Sequence, residues 1–320
     1  MSVLSPDKLV EAYALVGSAN RRSLEALAVV LAQFRACGID CLLLKGADIL
    51  PRLYGVWGLR PMVDADLLVR ERDLPAIDRI VRKLGYLPEI DGNPAYRAPD
   101  HSLLLDLTTE IWYAEDTESL WTRAVQRDLE GLPVKGMGSE DLLIFLTAYA
   151  VLYRGCFSTA FQKDLALLVR KEPLDWEFVL EEACRRNLKI PLYYGLSYAA
   201  RHEPIALPPE VMRRLAPAGP AENALAFTLR KLVLSRPVNN LGHFLLFVTR
   251  PAHKKWGWLQ RYLFPSTAFL QYRYGEHGTR NPHRTRLLRA CALLSRTLIL
   301  SVTILARLLT SAPLAGPARP

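Results

Sequence analysis

Acidic side chains all but vanish from the last third of the chain. Between Lys231 and Pro320, Glu276 stands alone against fourteen lysines and arginines, a local net charge of +13. The first 230 residues hold 27 basic and 31 acidic side chains, so the whole-chain charge of +9 belongs to the last third. A field of that size faces something anionic: the acidic body of the protein, a lipid surface or nucleic acid. Cysteine is scarce, odd in number and never arranged as C-x-x-C (Cys37, Cys41, Cys156, Cys184, Cys291). That argues against a disulfide framework or a zinc site and for a reducing cytosol. The six histidines (His101, His202, His243, His253, His277, His283) show no H-x-x-x-H spacing. His243, in LGHFLLF, is expected as a hydrogen-bonded packing residue. No Ser-His-Asp or Cys-His signature is legible. The opening MSVLSPDKLVEAYALV lacks a basic segment followed by an apolar run, so it does not read as a signal peptide and a cytoplasmic location is expected. No repeat of fixed period is present, and low complexity is limited to the tail SAPLAGPARP, which is expected to fray.

What is present is the composition of a folded chain: 50% apolar and 23% charged over 320 residues, enough for a catalytic domain and a second, helical one. Apolar spacing in 6–36 predicts two helices broken near Gly17-Ser18-Ala19-Asn20. CLLLK (41–45) reads as a buried strand opening through Gly46 into a helix. VDADLLV (63–69) reads as a second strand, 73–84 as a helix stopped by Gly85, and LLLDLTTEI (103–111) as a third strand. From Ser139 the pattern is helical: 140–153, 158–170, 175–187, 190–201, 208–215, 221–233 and further segments. The expected fold is α+β, a small mixed sheet with flanking helices plus a mainly helical C-terminal domain. Its parts are N-terminal helices at 1–38, an α/β core at 39–138, a helical domain at 139–283, a basic amphipathic helix at 284–311 and a tail at 312–320.

The chemistry centres on Asp64 and Asp66. Residues two apart on a strand share a face, about 6.6 Å apart along the chain, so the two carboxylates project together. Carboxylate oxygens suit Mg²⁺, which keeps waters and completes its shell with substrate phosphates. Two ions about 3.5–4 Å apart can stabilise both the attacking and the leaving oxygen of a displacement at phosphorus. Asp106 is the best third carboxylate, because alternation in LLLDLTTEI sets it on one face with Leu104, Thr108 and Glu110; Glu110 is a weaker substitute. D-x-D alone is a common tripeptide, usually two solvated acids. Its apolar strand setting raises its weight, since acids there need a partner, a metal or a sheet end to avoid several kcal/mol of desolvation. An EF-hand fails because Leu67-Leu68-Val69 stand where polar ligands and a glycine are required. Lys45-Gly46, at a strand-to-helix turn, can bring backbone N–H groups and a positive charge to a phosphate. Arg60 can contact a triphosphate, at even odds with being a surface arginine.

The run LLLKGADILPRLYGVWGLRPMVDADLLVRERDLPAIDRIVRKLGY resembles a family of bacterial nucleotidyltransferases within the DNA polymerase beta-like superfamily. Weaker matches continue through LLLDLTTEIW, FQKDLALLV, DWEFVLEEACRRN and YLFPSTAFLQYRYG. The resemblance implies that Asp64, Asp66 and Asp106 bind Mg²⁺, with Mn²⁺ as a substitute, and that Gly46 and Ala47 lie at the nucleotide phosphates. Two positions depart from the family pattern. Gly46-Ala47 stands where Gly-Ser is usual, removing a hydroxyl, and Asp106-Leu107-Thr108 stands where D-L-H is frequent, removing a histidine. The function implied is transfer of a nucleoside monophosphate from an NTP to a hydroxyl of a small molecule, glycan precursor or protein. The alternatives are a catalytically silent relative serving binding or membrane assembly, and a D-x-D glycosyltransferase, which Lys45-Gly46 disfavours.

Two further features stand outside that core. Asp164, in STAFQKDLALLV, is expected as a solvated or salt-bridged helix position rather than a substrate contact. In 284–310, Arg289, Arg296 and Arg307 recur at steps of seven and eleven and fall on one stripe of a helix. Ten residues separate Arg296 from Arg307, too few for an ordinary span of about 20. Packing on the protein itself or in a dimer, arginines in water, is favoured about three to two over an anionic membrane surface at the inner face. The latter draws on Trp256, Trp258, Tyr262, Phe264, Tyr272 and Tyr274 upstream. Nucleic acid is disfavoured, since no binding motif accompanies the basic and aromatic residues.

Overall fold

The computed structural model describes residues 5–90, 94–114, 116–233, 241–249, 252–265 and 267–310. The tail 312–320 lies outside them, as do Arg236, Arg250 and Arg319 and the side chains of His253, Lys254, Trp258, Arg261, Tyr262, Tyr272, Arg273, His277 and Arg307. The chain divides into two compact units, Met1–Leu142 and Leu143–Pro320.

The first unit opens with one helix, α1 (Pro6–Ala36), where two are expected. The small residues at its middle do not break it; they let a 3₁₀ turn, Trp57–Leu59, approach. A Cβ on Gly17 would lie 3.6 Å from Gly58, and one on Gly58 would stand 2.5 Å from the Tyr13 carbonyl oxygen. Then follow β1 (Cys41–Leu44), α2 (Lys45–Leu53), β2 (Ala65–Val69), α3 (Leu74–Lys83), β3 (Leu87–Ile90), β4 (Pro94–Arg97), β5 (Leu104–Thr108), α4 (Glu118–Thr122), β6 (Val125–Leu129) and β7 (Leu132–Gly136). Gly85 ends the α3 segment in the left-handed region, φ 84°, as its position predicts.

The strands form one seven-stranded mixed sheet, ordered β3-β4-β5-β2-β1-β7-β6. At its centre β1 runs antiparallel to β2, and β2 runs parallel to β5. These three are the strands legible as apolar runs, and Leu42, Leu43, Leu67, Leu68, Leu105 and Leu107 are buried in them. The four outer strands carry prolines and charges, as in VQRDL and LPVKG, and lack that signature. β6 and β7 are joined by Glu130-Gly131, both left-handed (φ 53° and 84°), with Asp128 Oδ1 accepting from the Gly131 N–H. That is the backbone a two-residue hairpin demands.

The expected helical region is α5 (Ser139–Ala148), running into a π-helical turn at Tyr149–Arg154, then α6 (Thr159–Lys171), α7 (Trp176–Arg185), α8 (Lys189–His202), α9 (Pro209–Leu215), α10 (Pro220–Leu232), α11 (Leu241–Thr249), α12 (Ala252–Leu263), α13 (Thr267–Arg280) and α14 (Pro282–Thr310). Ser158 caps α6 by accepting from the Phe161 N–H, and Asp175 caps α7 from Glu177 and Phe178. An aromatic cluster seals α6 to α8, with the Phe157 and Tyr198 rings stacked 3.9 Å apart.

Glu182, 7% exposed on α7, accepts from Arg185 and Arg186 at 2.7–2.8 Å. Burial pushes its carboxyl up, but the two guanidiniums outweigh it and bring the pKa to about 2. A depressed carboxylate stabilises the fold above its unfolded pKa, and that stabilisation is lost as pH falls towards the folded value. Glu182→Gln is therefore expected to cost about 2–3 kcal/mol at pH 7. The gap between the variant and wild-type unfolding midpoints should close as pH falls from about 4.5 towards 2. A gap constant with pH would show that the ion pairs do not carry the effect.

Candidate functional site

At the end of β1 the chain enters α2 through Lys45, whose φ of 45° is left-handed. A non-glycine residue there costs of order 1–3 kcal/mol and persists where its surroundings hold it. Lys45 Nζ lies 2.5 Å from Asp66 Oδ1, and the Asp66 side chain is 8% exposed. The neighbouring Gly46 is closely approached: a Cβ there would stand 2.9 Å from Arg60 Nη1 and 3.2 Å from Met62 Cγ, so a side chain would displace the guanidinium. The structure thus gathers Lys45, Gly46, Arg60 and Asp66, which are spread over 22 positions of the sequence.

Strand pairing places the carboxylates. Leu44 pairs with Asp66 across β1 and β2, and Asp66 pairs with Asp106 across the parallel β2 and β5. Directly opposed residues of neighbouring strands share a face, so Asp66 and Asp106 stand side by side. Asp64 lies just before β2, half-buried, and Asp106 is half-buried on β5. The exposed Glu110 lies beyond the end of β5. Burial pushes the Asp66 carboxyl above its ordinary range; Lys45 pulls it back, Asp64 pushes it further up, and Arg60 lowers it. Those influences put Asp64 and Arg60 within electrostatic reach of Asp66. Ala47 is fully buried, so what it can offer a phosphate is its backbone N–H at the start of α2.

The donor set fits a hard divalent ion. Asp66 Oδ2 is buried without a hydrogen-bond partner among the described residues, a cost of about 1–3 kcal/mol that a coordinated cation would remove. Among the described residues no group of three or more His, Cys, Asp or Glu side chains is already gathered as a metal site. What the fold supplies is Asp64 within electrostatic reach of Asp66 and Asp106 as its partner across the strand pair. Mg²⁺ favours such sites, since it retains waters and takes phosphate oxygens.

Two groups of residues here escape a sequence reading. Asn20 of α1 is 1% exposed. Its amide donates to the Trp57 and Arg60 carbonyls at 2.6 and 2.8 Å and accepts from the Met62 N–H at 3.0 Å. It pins the loop that carries Arg60 towards Gly46 and Asp66. Asn20→Ala is expected to lower stability by about 2–3 kcal/mol, because the buried Met62 N–H and two part-buried carbonyls lose their partner. Thermal unfolding checks this, and a loss below about 0.5 kcal/mol, the level of a surface change, would count against it. The second group is Asp48, 1% exposed on α2, with Arg52 and Arg127 against it at 3.2 and 3.7 Å. Their sole sequence signal is the i,i+4 spacing of Asp48 and Arg52.

Of the two positions expected for Asp164, solvated or salt-bridged, burial excludes the first: it is 2% exposed on α6. His243 lies on the exposed side of α11, opposite the buried face of Leu241, Leu245 and Leu246, although partial burial, with Arg289 nearby, still pushes its pKa down. All five cysteines are free, and burial pushes the Cys41 thiol up to about 12.

No curated protein matches this chain. Solved structures resemble parts of it. The solution structure of the antibiotic-resistance factor ANT(2'')-Ia is 19% identical, covering 56% of this chain and 97% of that one, with a TM-score of 0.40. A crystal structure of ANT(2'')-Ia in complex with adenylyl-2''-tobramycin is 19% identical, covering 51% and 96%, TM-score 0.40. An antigenic nucleotidyltransferase-like protein from Paracoccidioides brasiliensis is 17% identical, covering 67% and 94%, TM-score 0.39. One family model spans both the carboxylate strands and the first helices beyond them, matching residues 3–202, and by that match the chain belongs to the uncharacterised nucleotidyltransferase family.

Proposed function

We propose that this nucleotidyltransferase works with Mg²⁺, Mn²⁺ serving as a substitute, and moves a nucleoside monophosphate from ATP or another NTP to a hydroxyl of a small molecule, glycan precursor or protein. The observation that carries the reading is the convergence of Asp64 and Asp66 with Lys45, beside the register partner Asp106. Asp64, Asp66 and Asp106 would hold the metal, which when bound polarises the phosphates and screens the charge that develops on them. Lys45 and Arg60 supply positive charge for the triphosphate, and the Gly46-Ala47 turn supplies backbone N–H groups.

In the transfer, the acceptor oxygen forms a bond to the α-phosphorus while the bond from that phosphorus to the β-bridging oxygen breaks. Pyrophosphate leaves with the electron pair. Asp106 takes the hydroxyl proton and returns it to solvent. Lys45, whose side chain is 22% exposed, would turn from Asp66 to the phosphates. The test is calorimetric titration of the full chain with each NTP, with Mg²⁺ and then with EDTA. Mg²⁺-dependent binding is expected. An affinity that EDTA leaves unchanged, or no affinity for any NTP, would overturn the proposal.

A further inference from the structure

The last described helix, α14, has two apolar faces. Leu300 and Ile304 are buried, and α10, α12 and α13 all pack against this helix. Of the arginine stripe expected in water, Arg289 contributes to that packing, while Arg296 is exposed. Arg286 donates to the Pro265 carbonyl at 3.0 Å, and Arg289 donates to Tyr274 Oη at 3.2 Å with its guanidinium over the Phe269 ring. At about 100° per residue, Leu287, Leu294, Leu298, Val302 and Leu305 fall on a second stripe, roughly opposite Leu300. Each is more than half exposed, Leu298 at 68%. Apolar area of that extent, left bare along a helix, marks an interaction surface.

We infer that this outward stripe of α14 docks on an anionic lipid surface, the helix lying in the plane of the membrane with its other face still on the protein. Charge decides the occupant. From Lys231 onward Glu276 is the one acid among fourteen basic residues, and Arg280, Arg284 and Arg296 are exposed. A second copy seated here would bring a like field of the same size against the first, whereas anionic headgroups neutralise it. Trp256 and Phe264, 73% and 62% exposed, are the amphipathic and apolar rings that settle at a headgroup boundary. α14 is also long and apolar enough, by length and composition, to cross a membrane. Its packed face, anchored by Arg286 and Arg289, assigns it to the surface instead.

The test is flotation of the full chain with phosphatidylcholine vesicles and with vesicles containing a third phosphatidylglycerol, at low and high salt. Wild type is expected to float with the anionic vesicles at low salt and to be released by salt. Leu294→Glu/Leu298→Glu, at exposed positions that leave the fold intact by circular dichroism, should partition roughly tenfold less. No flotation of wild type, or equal flotation of the variant, overturns the inference. So does a wild-type dimer by light scattering that the variant dissociates, which would assign the stripe to a second copy.

Discussion

Asp66→Asn is expected to lower nucleotidyl transfer by about 10³-fold or more, and Asp64→Asn/Asp66→Asn to abolish Mg²⁺-dependent NTP binding, with the fold intact. A factor of 10³ is about 4 kcal/mol of transition-state stabilisation. That is the scale on which one preorganised charged contact contributes. The stability side follows from burial. Desolvation holds the Asp66 carboxyl above its ordinary range despite Lys45, so its ionised form is disfavoured in the folded chain and asparagine removes that cost. Lys45 loses a partner but remains partly in water. The thermal midpoint of Asp66→Asn should therefore stay within a few degrees of wild type, a shift worth about 1 kcal/mol. Pyrophosphate release, NTP titration and thermal unfolding on the same preparations separate the two effects. Wild-type NTP affinity in the double variant would remove these carboxylates from the site, and a cooperative loss of fold would make Asp66 a structural residue.

The difference between what the sequence discloses and what it withholds follows contact distance. β1 and β2 are legible because strands buried on both faces read as apolar runs, β5 because its leucines fill the buried positions of an alternating strand, and Asp64 and Asp66 stand out because they interrupt an apolar run. Asp106 is legible as an acid on an alternating strand, but its position beside Asp66 needs the parallel pairing of β2 and β5. The outer hairpins escape because partial exposure permits prolines and charges, leaving the Glu130-Gly131 turn as the remaining signal. α1 misleads for a related reason. Gly17-Ser18-Ala19-Asn20 has the composition of a helix break, yet the helix runs through it and Gly58, 41 positions on from Gly17, packs against α1 at Tyr13. Asn20 finds its partners 37 to 42 residues away, and no local pattern announces such a bond. α14 is legible as amphipathic from its arginine stripe. Its two apolar faces separate only once α10, α12 and α13 show which one is covered.

The second large effect is expected at Asp48 and Arg52, the pair that fixes α2, the helix that begins at Lys45-Gly46. Arg52 donates to Asp48 Oδ2 at 3.2 Å, to the Met137 carbonyl at 3.2 Å and to Ser139 Oγ at 2.7 Å. Its side chain is 5% exposed and that of Asp48 is 1% exposed. A Cβ on Gly136 would stand 2.5 Å from Asp48 Oδ1, so the carboxylate reaches across β7 where a glycine leaves it room. Removing one partner strands the other charge out of water, which costs about 3–5 kcal/mol. Asp48→Leu and Arg52→Met are each expected to lose that much. The double variant should lose less than the sum, because two apolar side chains replace a desolvated pair whose net contribution is small. Transfer activity should fall with the single variants at temperatures where they remain folded, since α2 carries Lys45 and Gly46 at its first turn. Denaturant unfolding of the four proteins closes the cycle. Strict additivity would show that Asp48 and Arg52 act independently, and would leave the anchoring of α2 to its apolar residues Ile49, Leu50 and Leu53, all buried beneath the site.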